Sequence, residues 1–146
     1  MENDFNLQNA LQHQLSTLQD IIKRMAENGR NCKTWCLSIV AALLAFASKE
    51  NSVIIIPLVI LPIFPLAFLD AYYLHIETIY INQYKCLVKD FKNNLLKEEN
   101  VYTYIGITEL KTSIFFQFRS KSIWPFYSLI LLIVTSLFLY LSYKNI

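Results

Sequence analysis

The sequence contains few of the residues from which enzyme sites and phosphate-binding loops are built. Among 146 residues there are 2 glycines, 2 histidines and 3 cysteines. Two glycines are too few for a glycine-rich loop around a phosphate group. Neither histidine has a serine or a cysteine at the spacing of a catalytic motif, and no His, Cys, Asp and Glu residues have the spacing of metal ligands. We therefore expect neither catalysis nor a cofactor.

Charge is scarce as well. Charged residues make up 16% of the chain against 55% hydrophobic residues, and the mean hydropathy is +0.36. This composition is too apolar for an ordinary soluble domain, and the chain is too short for two independent domains. A net charge of +2 is too small to favour a nucleic-acid partner.

Three apolar runs without a charged residue organise the sequence, at residues 34–48, 53–69 and 123–140. As helices they would measure ~22, ~25 and ~27 Å at about 1.5 Å per residue, against the ~30 Å hydrocarbon core of a bilayer. We therefore predict three transmembrane helices, of which the first two form a hairpin around a short polar link. The first run is the shortest, and the alternative for it is a buried or re-entrant segment.

The cations are distributed unevenly around these runs. Only Lys49 and Lys144 follow the first and third runs, whereas the other lysines and arginines precede the first run or lie between the second and third. By the positive-inside rule, the N-terminus and the middle segment are cytoplasmic, and the polar link and the C-terminus lie outside. We expect no cleavable signal peptide, because the N-terminal region is polar.

The cysteines then lie on the cytoplasmic side or at its boundary, where disulfides are rare. Cys32 and Cys36 share a helix face, but two thiols without a second pair are a weak zinc motif. We interpret these two as small apolar residues at the junction between a helix and the membrane.

Two segments that flank the first pair of runs show heptad-like spacing. Before the first run, apolar residues recur at steps of 4, 3, 4 and 3: Leu11, Leu15, Leu18, Ile22 and Met25. After the second run, similar steps connect Tyr73, Glu77, Tyr80, Tyr84, Leu87 and Phe91. We predict an amphipathic helix over 5–28 that packs antiparallel on a cytoplasmic extension of the second span, which ends at about Lys97. Gly29 either ends the first helix or loosens it.

An acidic residue within an apolar seam is costly unless a cation satisfies it. Glu77 lies in such a seam, so we predict that it pairs with Arg24 or Arg30. Asp70 follows the second run directly, and we predict that it pairs with Arg30 or Lys33. The alternative is that both carboxylates face water or lipid headgroups.

Two features of the runs concern helix packing. The first run contains two small-xxx-small pairs, which allow helices to approach closely: Ser38, Ala41, Ala42 and Ala45. This contact is either internal or between the subunits of an oligomer.

The second run contains three prolines, each of which removes a backbone donor, so we predict a kinked helix: Pro57, Pro62 and Pro65.

Residues 100–120 are less regular and are rich in β-branched and aromatic side chains. A short β-hairpin and a loop on the membrane surface are both consistent with this composition. The third run then begins with Ser122 as a helix cap and Pro125 in the first turn. Aromatic residues mark its two membrane interfaces: Trp124, Tyr127, Tyr140 and Tyr143.

Three stretches of the sequence suggest a family. They are RMAENGRNCKTW at 24–35, LDAYYLHIE at 69–77 and SIWPFY at 122–127. In these stretches the chain resembles small bacterial multi-span membrane proteins associated with anti-phage defence, which include membrane accessories of RNA-targeting CRISPR loci and two-span effectors of nucleotide-signalling systems. The resemblance implies an oligomer that perturbs the membrane when infection is sensed.

Together these expectations describe an all-α membrane protein with three transmembrane helices and an amphipathic N-terminal helix that packs on an extension of the second span. Its segments are a cytoplasmic amphipathic helix (1–33), a transmembrane hairpin (34–74), a cytoplasmic helix and loop (75–121) and a C-terminal transmembrane helix (122–146). The expected location is the bacterial inner membrane.

The expected function is that of an oligomeric effector that permeabilises or depolarises this membrane. Its partners would be the lipid bilayer, further copies of the chain and either a cytoplasmic defence protein or a small signalling ligand, with no nucleic acid. One alternative is a passive membrane anchor that recruits a cytoplasmic partner through its helical stalk. A second is a subunit of a larger transporter.

Overall fold

The computed structural model describes residues 2–50, 55–96, 101 and 114–144. Within these residues every regular element is an α-helix. The helices are α1 (Glu2–Glu50), α2 (Ile55–Ile60), α3 (Ile63–Lys92), α4 (Ile114–Gln117) and α5 (Trp124–Lys144). The prediction of an all-α protein is therefore confirmed for the described part of the chain.

Helix α1 is a single helix of 49 residues. It joins the heptad-like segment to the first apolar run, and it continues through Gly29, so this glycine does not end it. Hydroxyl groups along α1 donate to carbonyls of the preceding turn, as Thr34 does to Arg30 at 3.1 Å and Ser38 does to Thr34 at 2.9 Å. Such bonds satisfy a hydroxyl group within its own helix.

The second apolar run is divided at one of its prolines. A turn at Leu61 and Pro62 separates α2 from α3. Because Pro62 has no N–H to donate to the carbonyl four residues before it, a helix cannot continue through it undistorted. Pro57 and Pro65 lie in the first turns of α2 and α3, where an N–H has no partner within the helix. The interruption therefore falls at Pro62.

Helix α3 ends shortly before the predicted end at about Lys97. Asn94 has a positive φ of 56°, a left-handed conformation that asparagine tolerates. Its N–H donates to the Phe91 carbonyl at 3.1 Å. The N–H of Leu95 donates to the Asp90 carbonyl at 3.0 Å. These two bonds form a Schellman motif, which closes the helix.

The chain divides into two compact units. The first unit comprises Met1–Glu27 and Tyr73–Ser113, and the second comprises Asn28–Tyr72 and Ile114–Ile146. The divisions fall at 27/28, 72/73 and 113/114, whereas the boundaries that we predicted are 33/34, 74/75 and 121/122.

The first unit has its own apolar cluster. Its buried members come from α1, α3 and the residues after α3: Leu11, Leu18, Leu87, Leu96 and Val101. Partly buried residues pack against them: Leu7, Ala10, Leu15, Tyr80 and Tyr84. Gln19 adds a hydrogen bond from its Nε2 to the Tyr84 hydroxyl at 3.3 Å. Residues of the two heptad-like seams therefore meet in this unit.

The second unit contains the rest of α1, the start of α3 and all of α2, α4 and α5. Helix α2 packs against α5. The buried apolar residues come from every long helix: Cys32, Cys36, Val40, Ala47, Val59, Ile63, Ala67, Ala71, Ile123, Tyr127, Ile130 and Val134. Several of them are small, which permits close approach of helix backbones.

Large apolar side chains are exposed on the outside of the second unit, among them Trp35, Phe46, Phe64, Leu132 and Leu139. In the described residues, two segments are long and apolar enough to cross a membrane, Pro57–Lys92 and Trp124–Tyr143. Only 28% and 17% of their most apolar stretches are buried. A core helix of a soluble protein would be mostly buried, so this exposure favours association with a membrane. Residues 34–48 are not among these two segments.

The segment before α5 corrects one expectation. Helix α4 occupies Ile114–Gln117, so the β-hairpin that we considered is wrong for this part, and residues 102–113 lie outside the described residues. After α4, the ring of Phe118 packs against that of Phe68, with their centroids 6.4 Å apart. This contact places the residue after α4 against α3.

Candidate functional site

The second unit contains a buried carboxylate. Asp70 on α3 is only 2% exposed. Its Oδ2 lies 2.7 Å from the Nζ of Lys33 on α1, and the Lys33 side chain is 22% exposed. Lys33, one of the two cations that we expected near Asp70, therefore forms an ion pair with it. The alternative, in which Asp70 faces water, does not hold.

Gly29 makes room for this carboxylate. It lies one turn before Lys33 on the same side of α1, and it is buried. A Cβ atom at position 29 would lie 3.0 Å from the Asp70 Oδ1, closer than an ordinary van der Waals contact. The sequence around residue 29 does not reveal this role, because the role depends on a residue of α3.

Tyr127 completes the site from α5. Its hydroxyl donates to the carbonyl of Leu66, one turn before Asp70 on α3, at 3.3 Å. The Tyr127 side chain is only 5% exposed, and our expectation that this residue marks a membrane interface stays a prediction. Trp124 and Tyr140, from the same group of aromatic residues, are exposed.

One sequence pattern could have identified Tyr127 as a buried residue. The buried residues at the start of α5 recur at steps of 4, 3 and 4: Ile123, Tyr127, Ile130 and Val134. This is the spacing of one packed helix face. It is hard to recognise because α5 is apolar on nearly every side, so its periodicity does not show which side packs.

Cys32 and Cys36 lie on the same side of α1 as Gly29 and are 1% and 0% exposed. Both are free thiols. Burial raises the pKa of Cys32, and the negative charge of Asp70 raises this pKa further, against an opposing effect of Lys33. A thiol with a raised pKa is a poor nucleophile. Among the described residues, no three or more His, Cys, Asp or Glu side chains are placed to hold a metal ion.

We call Gly29, Lys33, Asp70 and Tyr127 the charge centre. It joins α1, α3 and α5 by polar contacts inside an apolar unit. An intact buried ion pair adds little net stability, because desolvation of the two charges offsets their attraction. Loss of one partner leaves an uncompensated buried charge, which costs about 3–5 kcal/mol. Arrangements of α1 and α3 that separate Lys33 from Asp70 therefore carry this penalty.

The other predicted charge pair involves the first unit. Glu77 is half-buried there, and Arg24 is exposed. The pairing of Glu77 with Arg24 or Arg30 stays a prediction.

The small residues of the first run lie on the other side of α1 from the charge centre. Each residue of an α-helix turns by about 100°, which puts the small residues opposite the buried Cys36, Val40 and Ala47. All four small residues are exposed: Ser38, Ala41, Ala42 and Ala45. Within the described residues, this stripe is therefore not the internal contact of the second unit.

Comparisons with known proteins give no relative. No protein-family model matches the chain, and no curated protein or solved structure shows significant similarity to it.

Proposed function

We propose that this chain is an oligomeric protein of the bacterial inner membrane that permeabilises or depolarises the membrane as an effector of anti-phage defence. The observation that carries the membrane part is the exposure of large apolar side chains along Pro57–Lys92 and Trp124–Tyr143. The defence context rests on the sequence resemblance. In this proposal residues 34–48 form a further span, the N-terminus is cytoplasmic and the C-terminus lies outside.

The proposal requires several copies of the chain, because three spans are too few to enclose a pore. The exposed stripe of Ser38, Ala41, Ala42 and Ala45 supports self-association, since small residues let the backbones of two helices approach closely in lipid. The stripe is accessible because the other side of α1 already packs in the second unit.

The charge centre and the turn at Pro62 provide the elements that would change on activation. The turn lets α2 tilt relative to α3, and the Lys33–Asp70 pair holds α1 on α3. Both α1 and α3 also contribute residues to the first unit. A defence protein or small signalling ligand that binds the first unit would therefore act on the two helices that carry the ion pair.

The test is leakage from liposomes that contain the purified chain. We expect release of an encapsulated dye and decay of a potassium diffusion potential. Replacing Ala42 and Ala45 with leucine fills the stripe without adding charge, and we expect leakage to fall about tenfold, as the loss of a close helix contact predicts. Leu129→Phe adds bulk at an exposed position of α5, away from the stripe, and should leave leakage unchanged. No leakage at any protein density would count against the effector function.

A passive anchor that recruits a cytoplasmic partner is the second candidate. It is favoured by a shallow groove in the first unit whose lining includes Lys85, Lys89 and Lys92, since three lysines on one side of a helix suit an acidic partner. An anchor would be harmless when overexpressed. Exchange of Lys85 and Lys89 for glutamate would abolish recruitment of the partner, whereas filling the small-residue stripe would have no effect.

A further inference from the structure

A cavity of about 470 Å³ lies directly before α5 in the second unit. It is lined by Arg119, Ser120, Lys121, Trp124 and Pro125. Two of these residues are cations and none is acidic, so the cavity is electropositive. Its chemistry suits an anion with several acceptor oxygens.

The backbone that carries the two cations is held in place by hydrogen bonds. The N–H of Arg119 donates to the Phe116 carbonyl at 3.2 Å, and the N–H of Ser120 donates to the Gln117 carbonyl at 2.9 Å. The Ser120 carbonyl accepts the N–H of Ile123 at 3.1 Å, and the Ile123 side chain is 1% exposed. The cavity is therefore built on an ordered turn that is anchored by a buried residue.

Trp124 indicates the depth of the cavity in a bilayer. It is the first residue of the segment Trp124–Tyr143, which is apolar enough to cross a membrane, and its side chain is 65% exposed. Tryptophan at the end of a transmembrane helix lies at the level of the lipid headgroups. The cations of Arg119 and Lys121 then lie at the level of the lipid phosphates.

We propose that this cavity binds the phosphate group of an anionic phospholipid. The planar guanidinium of Arg119 would donate two N–H groups to one phosphate, and Lys121 would add a second positive charge. A soluble phosphate compound has the same acceptor chemistry. Lipid is the favoured source because an exposed indole and the start of an apolar helix border the cavity. The proposal rests on membrane insertion, which is part of the proposed function, and not on leakage.

Quenching of Trp124 fluorescence by brominated lipids tests this proposal. The chain has 2 tryptophans, so Trp35→Phe leaves Trp124 as the single reporter. The full chain is reconstituted in phosphatidylcholine bilayers that contain brominated phosphatidylglycerol or, at the same mole fraction, brominated phosphatidylcholine. We expect phosphatidylglycerol to be enriched near Trp124 by about fivefold, the scale that cations give at an anionic surface.

The decisive variant carries Arg119→Gln and Lys121→Gln, and it should lose this enrichment. The matched control carries Lys85→Gln and Lys89→Gln, which remove the same charge from the first unit and should retain the enrichment. Quenching that follows only the mole fraction in the single-tryptophan parent, or enrichment that survives in the Arg119/Lys121 variant, would overturn the proposal.

Two further measurements distinguish a lipid ligand from a soluble phosphate compound, and the cavity proposal from the effector function. Enrichment that persists when millimolar glycerol phosphate or inorganic phosphate is added supports the lipid as the ligand, and loss of enrichment under this competition overturns it. If no brominated lipid quenches Trp124, membrane insertion fails together with the cavity proposal. If the enrichment is present but no dye leaks from liposomes, only the effector function fails.

Discussion

At the scale of single residues, Gly29 and Asp70 depend on each other. A glycine within a helix is about 1 kcal/mol less favourable than an alanine. At position 29, however, a Cβ atom would lie 3.0 Å from the Asp70 carboxylate. The benefit of alanine and the steric conflict therefore act in opposite directions on the free energy of unfolding.

This opposition predicts a change of sign between two backgrounds. Gly29→Ala should fail to stabilise the parent chain or should destabilise it. In an Asp70→Ala background the same substitution should stabilise by about 1 kcal/mol, because the conflict is removed while the helix propensity remains. Thermal unfolding in detergent micelles measures both effects. An equal gain in the two backgrounds would show that the carboxylate does not restrict position 29.

The ion pair makes a second prediction at this scale. Lys33→Met leaves the buried Asp70 charge without its partner, and we expect a loss of about 3 kcal/mol in the free energy of unfolding. Lys23→Met removes an exposed lysine from the same helix and should change stability by less than about 0.5 kcal/mol. Adding Asp70→Asn to Lys33→Met should restore most of the loss. Similar unfolding of the two single variants would exclude an energetic role for the pair.

Thiol reactivity gives a third prediction. Cys86 is exposed, whereas Cys32 and Cys36 are buried. In single-cysteine variants we expect a water-soluble maleimide to label Cys32 and Cys36 roughly a hundredfold more slowly than Cys86, because a buried thiol reacts only after local opening. The raised pKa of Cys32 lowers its thiolate fraction as well. Labelling kinetics followed by mass spectrometry provide the measurement, and equal rates would contradict the packing around the charge centre.

At the scale of elements, the turn between α2 and α3 depends on Pro62. Pro62→Ala supplies an N–H for the carbonyl four residues earlier, so we expect the two helices to join and the amides of residues 58–66 to exchange hydrogen more slowly. Pro57→Ala lies in the first turn of α2, where no such bond is available, and it serves as the control. Hydrogen–deuterium exchange with mass spectrometry distinguishes the two variants. If both leave exchange unchanged, another contact sets the turn.

The elements also show where sequence patterns are informative. In the first unit, polar residues alternate with the apolar ones along each helix. The apolar period therefore identifies the side of the helix that packs, which carries Leu11 and Leu18 on α1 and Leu87 on α3. In α5 nearly every position is apolar, and the period that includes Tyr127 is hidden. The sequence narrowed the partner of Asp70 to Arg30 or Lys33, because Asp70 follows the second apolar run directly and both cations lie shortly before the first.

Other features depended on hydrogen bonds at a helix end or on contacts between residues far apart in the sequence. The Schellman motif at Asn94 ended α3 before the heptad-like pattern predicted. Helix α1 continues through Gly29 because glycine costs only about 1 kcal/mol within a helix. This cost is small compared with the free energy that a long helix gains by packing. The role of Gly29 itself required knowledge of which helix lies against it, and a single sequence does not contain that information in a local pattern.

At the scale of the whole molecule, the exposed apolar surface predicts behaviour in cells. We expect the chain to remain in the membrane pellet after alkaline carbonate extraction. Leu132→Arg places a charge at an exposed position near the middle of α5 and should reduce the inserted fraction, because a central arginine costs roughly 2.5–3.5 kcal/mol on insertion scales. Tyr143→Arg at the end of the helix should insert normally, since a terminal arginine reaches the interface. Recovery of the parent in the soluble fraction would contradict membrane insertion.

The hydrogen bond from the Ser38 hydroxyl to the Thr34 carbonyl, at 2.9 Å, has a consequence for assembly. Its only proton is committed within α1, so this hydroxyl has nothing to donate to a neighbouring copy. Its oxygen can still accept a hydrogen bond, so association along this side of the helix would depend on surface fit, dispersion forces and any donor that the neighbouring copy supplies. Assemblies of that kind dissociate when they are diluted with lipid. The number of chains per membrane area would therefore determine the fraction of chains that is oligomeric.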